Sequence, residues 1–211
     1  MPHVTAVCRV HALLDDSGSV GVTAIDKRPV EGPVPVRKLG LRGDVQASRA
    51  HHGGEDKAVY AFADEDADHF TDLLGREVLP GSFGENLRTS GLDVTGAVIG
   101  ERWAVGERLV LEVTMPRTPC ATFARRLGER GWVRRFQEEG RPGAYLKVVV
   151  GGEISAGDDL RVVSRPEHGV TVGECFAGLA PERAALLLSD QESPSLAPVM
   201  RDVAELAASR A

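Results

Sequence analysis

Cys120 lies in the run Thr114-Met115-Pro116-Arg117-Thr118-Pro119-Cys120-Ala121. Hydrophobic residues 109–114 read as a strand that delivers the chain to it, and residues 120–127 read as a helix that leaves it. Thr118 suits an N-cap and Pro119 the first helical position. Cys120 is therefore expected in the first helical turn, where free N–H groups and the helix dipole favour a thiolate. Arg117 adds a nearby positive charge. A thiolate so placed is a nucleophile, a sulfur carrier or a ligand for a soft metal.

Other segments carry groups that could work beside it. In His51-His52-Gly53-Gly54-Glu55-Asp56-Lys57, two imidazoles precede glycines that let backbone approach a ligand, and Lys57 could hold an anion. Zinc ligation by both histidines is not expected, because no carboxylate or cysteine stands at metal-site spacing. In Pro80-Gly81-Ser82-Phe83-Gly84-Glu85-Asn86-Leu87, Glu85 and Asn86 could point into a pocket, or the segment could simply be a turn. Arg141-Pro142-Gly143-Ala144-Tyr145 sets an arginine directly before a strand, and Asp26-Lys27-Arg28-Pro29 sets two cations at a strand end. There is no GxGxxG, Walker or GxSxG pattern. A Cys/His hydrolase would have to pair Cys120 with His51 or His52.

Composition narrows the class. The 211 residues carry 25 basic and 31 acidic side chains, a net charge of −6, which argues against a nucleic-acid polymer as partner. No apolar run approaches a membrane span and no signal-peptide pattern is read at the start, so a cytoplasmic protein is the expectation. Cys8, Cys120 and Cys175 are odd in number and widely spaced, which fits neither a disulfide framework nor a zinc finger.

The elements that must position these groups are mostly strands. Residues 3–12, 20–25, 57–63, 108–114, 144–150 and 159–163 are valine-rich runs bounded by glycine or proline. Helices are read at 64–74, with acids at its start and Gly75 at its end, and at 118–127, resuming near Trp132. This favours a mainly β (α+β) fold, a compact barrel with interspersed helices over residues 1–167. Residues 171–211 read as a small helical appendage, clearest at 195–210, where Leu196, Val199, Met200, Val203 and Leu206 recur at helical spacing with Ser195 as cap.

Taken in order, several of these segments resemble the MOSC family, named for the C-terminal domain of molybdenum-cofactor sulfurase. They are Ile25-Asp26-Lys27-Arg28-Pro29-Val30, Gly40-Leu41-Arg42-Gly43-Asp44-Val45-Gln46-Ala47, the His51–Tyr60 and Pro80–Leu87 runs, Gly91-Leu92-Asp93, Val98-Ile99-Gly100, Val113 to Cys120, and Arg141–Tyr145. The likeness covers about residues 20–167, and it is greatest for the stand-alone, YiiM-like subgroup with a short helical extension.

The resemblance implies a β-barrel-like domain that binds a molybdopterin-type molybdenum cofactor and ligates the metal through Cys120. It also implies reduction of small N-hydroxylated compounds, including hydroxylaminopurine-type base analogues. No ferredoxin-like cysteine set and no flavin or NAD fingerprint is present, so electrons would come from an external electron-transfer protein. On this reading Lys27, Arg28, Lys57, Arg117 and Arg141 would bind the cofactor's phosphate. Asn86 and Thr114 would hydrogen-bond the pterin, and His51, His52 or Glu85 would supply protons. Two alternatives remain at this stage: Cys120 as a persulfide-bearing sulfur carrier, and a non-enzymatic cofactor-binding barrel whose helices serve a partner or a homodimer.

Overall fold

Valine-rich runs become strands because branched side chains suit a pleated surface, and glycine supplies the turns between them. The computed structural model describes residues 1–18, 20–46, 53–190 and 196–210; His51, His52 and Ser195 lie outside these. Eight strands form one sheet: β1 (His3–Asp15), β2 (Val22–Pro29), β5 (Val59–Ala63), β6 (Leu87–Ser90), β7 (Arg102–Val105), β8 (Leu109–Pro116), β9 (Ala144–Val150) and β11 (Leu160–Ser164). Their spatial order is β11-β7-β8-β9-β5-β6-β1-β2. Every pair is antiparallel except β5 with β6. A second sheet has the order β10-β3-β4, from β3 (Val34–Arg37), β4 (Gly40–Leu41) and β10 (Gly152–Ile154).

The expected barrel is only partly laddered. The start of β1 pairs with β6 along one edge, while its other edge meets the chain entering β11. Val4 N–H donates to the Asp158 carbonyl (2.9 Å), Gly157 N–H to the Val4 carbonyl (2.7 Å) and Leu160 N–H to the Pro2 carbonyl (2.9 Å). One bridge, His3 with Asp159, completes the contact. Further along, the same edge of β1 is taken over by β2. The sheet therefore curls on itself without a continuous final ladder.

Strand β5 separates two cores. Side chains alternate along a strand, and Val59, Ala61 and Ala63 join an aliphatic core inside the curl with Val4, Leu87, Trp103, Leu111 and Leu146. Tyr60 and Phe62 join an aromatic core on the other side. All six phenylalanines and Trp132 gather there, contributed partly by α1 (Asp64–Leu74), α2 (Ala121–Leu127) and α3 (Trp132–Glu139). Helix α1 has the bounds read from the sequence and ends at Gly75, which adopts the left-handed conformation with φ 63°.

Three helices follow residue 170: α4 (Val172–Ala177), α5 (Pro181–Ser189) and α6 (Pro198–Ala208). Thr171 and Glu174 form a capping box at the start of α4. Glu174 also pairs with Arg183 at 2.7 Å, tying α5 to that cap. Val172, Leu187, Met200 and Ala204 reach the same aliphatic core as the barrel strands.

The Pro80–Leu87 segment is a locked turn. The Glu85 carboxylate accepts the Gly81 and Phe83 N–H groups at 2.7 and 2.9 Å and receives Arg88 Nε and Nη2 at 3.0 and 2.5 Å. Both side chains are buried. Gly81, at φ 87°, has its α-carbon so close to the Lys27 carbonyl oxygen that a β-carbon would collide with it. The turn thus presses on β2 at the residue before Arg28.

Replacing one partner of a buried ion pair strands the other charge. Glu85→Gln is expected to cost about 3–5 kcal/mol in urea unfolding, whereas an exposed catalytic acid would cost almost nothing. A second expectation concerns pH. The Glu174 carboxyl is held down at about 2 from its ordinary 4.5, chiefly by its hydrogen bond with Arg183. A depressed acid stabilises the fold above its ordinary value and loses that contribution as pH falls through the depressed one. Glu174→Gln should lower the unfolding temperature at neutral pH, and the gap to the parent should close as pH falls from 4.5 towards about 2.

Candidate functional site

Strand β8 ends at Pro116, and the chain stays extended until α2 begins at Ala121. Cys120 is the N-cap of that helix, with φ −131° and ψ 168°, and its carbonyl receives the Ala124 N–H at 3.1 Å. This corrects the expectation of a Thr118 cap with Cys120 in the first turn. Prolines disfavour helix in the residue before them, and Pro116 and Pro119 keep this stretch extended. The half-buried Cys120 lines a cavity of about 380 Å³ between β2, the end of β8 and the Lys57–Tyr60 segment. Cys8 and Cys175 are buried, and burial pushes both thiols up to about 12.

Arg117 is the least ordinary group on the wall. It is 5 % exposed, and its guanidinium stacks 3.6 Å from the Phe123 ring centre. Tyr60 and Phe136 approach at 5.8 and 5.6 Å. Its Nη1 has no hydrogen-bond partner among the described residues. Burying a cation without an anion is costly, and aromatic faces offset only part of that cost. Tyr145, also on the wall, has its hydroxyl pKa raised by burial, with Arg117 opposing the shift.

Lys27 and Asn86 line the same cavity, joined through Asp44. Lys27 Nζ donates to Asp44 Oδ2 at 2.7 Å, Asn86 Nδ2 donates to the same oxygen at 2.8 Å, and Val10 N–H donates to Oδ1 at 2.8 Å. Asn86 Oδ1 accepts the Tyr60 N–H at 3.1 Å. Its amide is therefore committed to the wall rather than offered to a ligand. Lys57 is partly buried, and desolvation lowers its pKa. Its ammonium lies 5.9 Å from the Tyr145 ring centre.

Other expected residues sit elsewhere. Thr114 does not line the cavity; its hydroxyl lies 2.6 Å from the Asp56 carbonyl and 2.9 Å from that of Tyr145, which anchors the turn carrying Lys57. Arg28 points away, because neighbours on a strand face opposite sides. It shares the far side of β2 with Asp26, 3.6 Å away. Arg141 pairs with Asp66 on α1 at 2.7 Å. Glu85 is occupied by Arg88 and the turn amides, which leaves it no place on the cavity wall. His51 and His52 lie outside the described residues. Gln46 lines the cavity and bridges the Lys57 carbonyl and the Gly54 N–H at 3.2 and 3.1 Å.

The sequence reading missed one end of the cavity. Asp16, from the end of β1, accepts Arg125 Nε and Nη2 at 2.8 and 2.7 Å and the Thr122 hydroxyl at 3.0 Å. The arginine bond holds the Asp16 carboxyl down at about 2. Residues 109 positions apart gave no spacing signal. Tyr60, Asp44 and Tyr145 stood inside recognised segments without being singled out. Among the described residues no group of three or more His, Cys, Asp or Glu side chains could hold a metal ion unaided. Among them, too, no helix is long and apolar enough to cross a membrane.

Residues 48–161 match the MOSC domain. The chain is 35 % identical over 159 residues to the uncharacterized protein YflK of Bacillus subtilis (strain 168), covering 75 % of this chain and 72 % of that one. It is likewise 35 % identical over 159 residues to protein YiiM of Escherichia coli (strain K12), covering 74 % and 70 %. A protein named "Reductase" from Gibberella moniliformis (strain M3125 / FGSC 7600) is 30 % identical over 174 residues, which is 78 % of this chain but 30 % of that protein. The crystal structure of YiiM from Geobacillus stearothermophilus shares the fold, with a TM-score of 0.79 at 23 % identity over 98 % of this chain and 99 % of that one. The chain belongs to the MOSC domain family.

Proposed function

We propose that the Cys120 cavity holds a molybdopterin-type molybdenum cofactor and that the protein reduces small N-hydroxylated compounds there. The observation that carries the reading is the pairing of a half-buried thiol with a buried arginine whose Nη1 is unpartnered among the described residues, both on one cavity wall. A thiolate is a soft donor suited to such a metal. One protein thiol, with no ligand cluster around it among the described residues, fits a metal whose other ligands come with its cofactor. Arg117 can receive the cofactor's phosphate, whose charge would offset the cost of burying the guanidinium. A volume near 380 Å³ lies within the range of small-molecule sites.

When bound, the cofactor supplies two-electron oxygen-atom chemistry, by which an N-hydroxylamine, two electrons and two protons become an amine and water. The chain's own residues do the rest. Cys120 fixes the reacting centre at the start of α2. Arg117 keeps negative charge favourable on the cavity wall. Asp44 holds Lys27 and Asn86 as a rigid wall. Lys57 Nζ, which burial makes readier to release a proton than an ordinary lysine, stands as an acid on the wall. Glu85 has no part in proton transfer. The relative named "Reductase", in which the matching region is 30 % of the length, supports a redox role and leaves room in that protein for other parts.

Persulfide carriage is the second reading, favoured by a lone accessible thiol beside two buried ones. Mass spectrometry of metal-free protein separates the two, since the carrier reading requires a labile added sulfur on Cys120.

Protein purified from cofactor-producing cells is expected to contain molybdenum and pterin. Cys120→Ala should lose the metal and N-hydroxylamine reduction, with the unfolding free energy unchanged within about 0.5 kcal/mol, because the side chain makes no capping bond. Metal-free, pterin-free parent protein would sink the reading. Arg117→Met should weaken cofactor retention by about tenfold or more, roughly 1.4 kcal/mol. The same variant's cofactor-free form should melt no lower than the parent's, since an apolar replacement removes a buried unpaired charge. A lower melting point would mean that Arg117 serves the fold instead.

A further inference from the structure

We infer that Arg125, held by Asp16, orients substrate in the Cys120 cavity and selects neutral N-hydroxylated compounds that carry a hydrogen-bond acceptor away from the N–OH group. This rests on the reading that reduction takes place in that cavity. The cavity follows β2. Thr23, Ile25 and Lys27 share one face of that strand, and all three line the cavity. From Thr23 to Lys27 the strand spans about 13 Å. Lys27 and its partner Asp44 mark one end of that span. The strand register sets Leu14 against Thr23 and Asp15 against Val22, so Asp16 stands just past the other end. There Arg125 reaches it from α2. Arg125 is 39 % exposed and Val20 47 %, so this end of the cavity meets solvent.

The guanidinium is fixed in direction. Asp16 Oδ1 accepts Arg125 Nε at 2.8 Å, and Oδ2 accepts Nη2 at 2.7 Å. The Thr122 hydroxyl donates to Oδ2 at 3.0 Å and accepts from Nη2 at 3.2 Å. Gly18 N–H donates to the same Oδ2 at 3.1 Å. A β-carbon on Gly18 would lie 2.7 Å from Oδ2 and 3.3 Å from Nη2, so glycine keeps the space around the pair clear. These bonds use Nε and Nη2. Nη1 makes no hydrogen bond among the described residues, and it carries two N–H donors.

A guanidinium already matched by a carboxylate offers donors without a surplus of charge. A substrate carbonyl or ring nitrogen can accept from Nη1. A substrate carboxylate would face Asp16 as well as Arg125, and like charge opposes it. Val22, Ala24, Ile25 and Phe83 give the adjoining wall an apolar surface suited to a ring. Cys120 caps α2, and Arg125 stands about 7.5 Å further along the same axis, with both side chains on the cavity wall. That separation is comparable to an aromatic ring with a substituent at each end.

The test uses the purified, cofactor-loaded protein and three phenylhydroxylamines: unsubstituted, with a para-carboxamide, and with a para-carboxylate. Reduced methyl viologen drives turnover, read as kcat/KM, and calorimetry measures binding of the three product amines. The parent should favour the carboxamide in both measurements. Arg125→Met should lower the carboxamide-to-unsubstituted ratio by about tenfold. Asp16→Asn leaves the guanidinium without its counter-charge and should turn the preference towards the carboxylate. Ratios between compounds do not depend on the folded fraction, so a less stable variant still reports. A pair that merely clips the β1–β2 turn to α2 would change all three compounds alike in both variants. That result, or a parent that binds the three amines equally, overturns the inference. A parent inactive towards all three hydroxylamines defeats the reductase reading instead, and amine binding still decides the role of Arg125.

Discussion

A buried positive charge without a matching carboxylate among the described residues organises this molecule. Arg117 lies between the end of the β8 strand and the α2 helix, in a cradle of Phe123, Phe136 and Tyr60. Those rings belong to an aromatic core that collects every phenylalanine in the chain. That core exists because β5 turns Tyr60 and Phe62 to one side while its alanines and Val59 fill the curled sheet on the other. The alternation that separates the two cores also puts a cation-stabilising surface beside the only cysteine that is not buried. Remove the rings, and the arginine would be drawn to solvent or to an acid.

The walls around that charge are held by commitments made elsewhere. Asp44 is shared by Lys27, Asn86 and the β1 backbone, so it cross-links three segments distant in sequence. Thr114 ties the turn bearing Lys57 to strands β8 and β9. The Glu85–Arg88 pair stiffens the turn behind β2. None of these groups needs to touch a ligand; each fixes the height or angle of one that can. The side of the site formed by the sheet is cross-linked by these bonds, and its remaining end is made by Asp16 reaching across to α2.

Much of this arrangement was legible from the residues alone, and the misses have physical causes. Long valine-rich strands and the acid-started, glycine-stopped α1 announce themselves through periodicity and punctuation. Strands of two to four residues such as β3, β4, β6, β7 and β10 are too short to show a period, and they exist only because neighbours complete their hydrogen bonds. Cys120, Lys27, Lys57 and Arg117 do meet in one cavity. Arg28 and Arg141 carry the same charge as the true wall residues, but strand alternation and a carboxylate on α1 claimed them. Glu85 looked like a catalytic acid because sequence does not reveal that an arginine three residues later folds back onto it. The Asp16–Arg125 contact joins the two ends of a long loop of chain, and no local pattern could foretell it.

The incomplete final ladder has a consequence for how the chain reaches this state. One edge of strand β1 is covered only by residues 157–160, some 150 positions along the chain. Contacts spanning so much of the sequence carry a large loop-closure entropy and slow the approach to the native state. Until that late segment arrives, the first strand offers bare backbone to any neighbouring chain. Association through that edge is therefore a hazard of the unfinished fold, and it lies in a part of the sheet remote in sequence from Cys120.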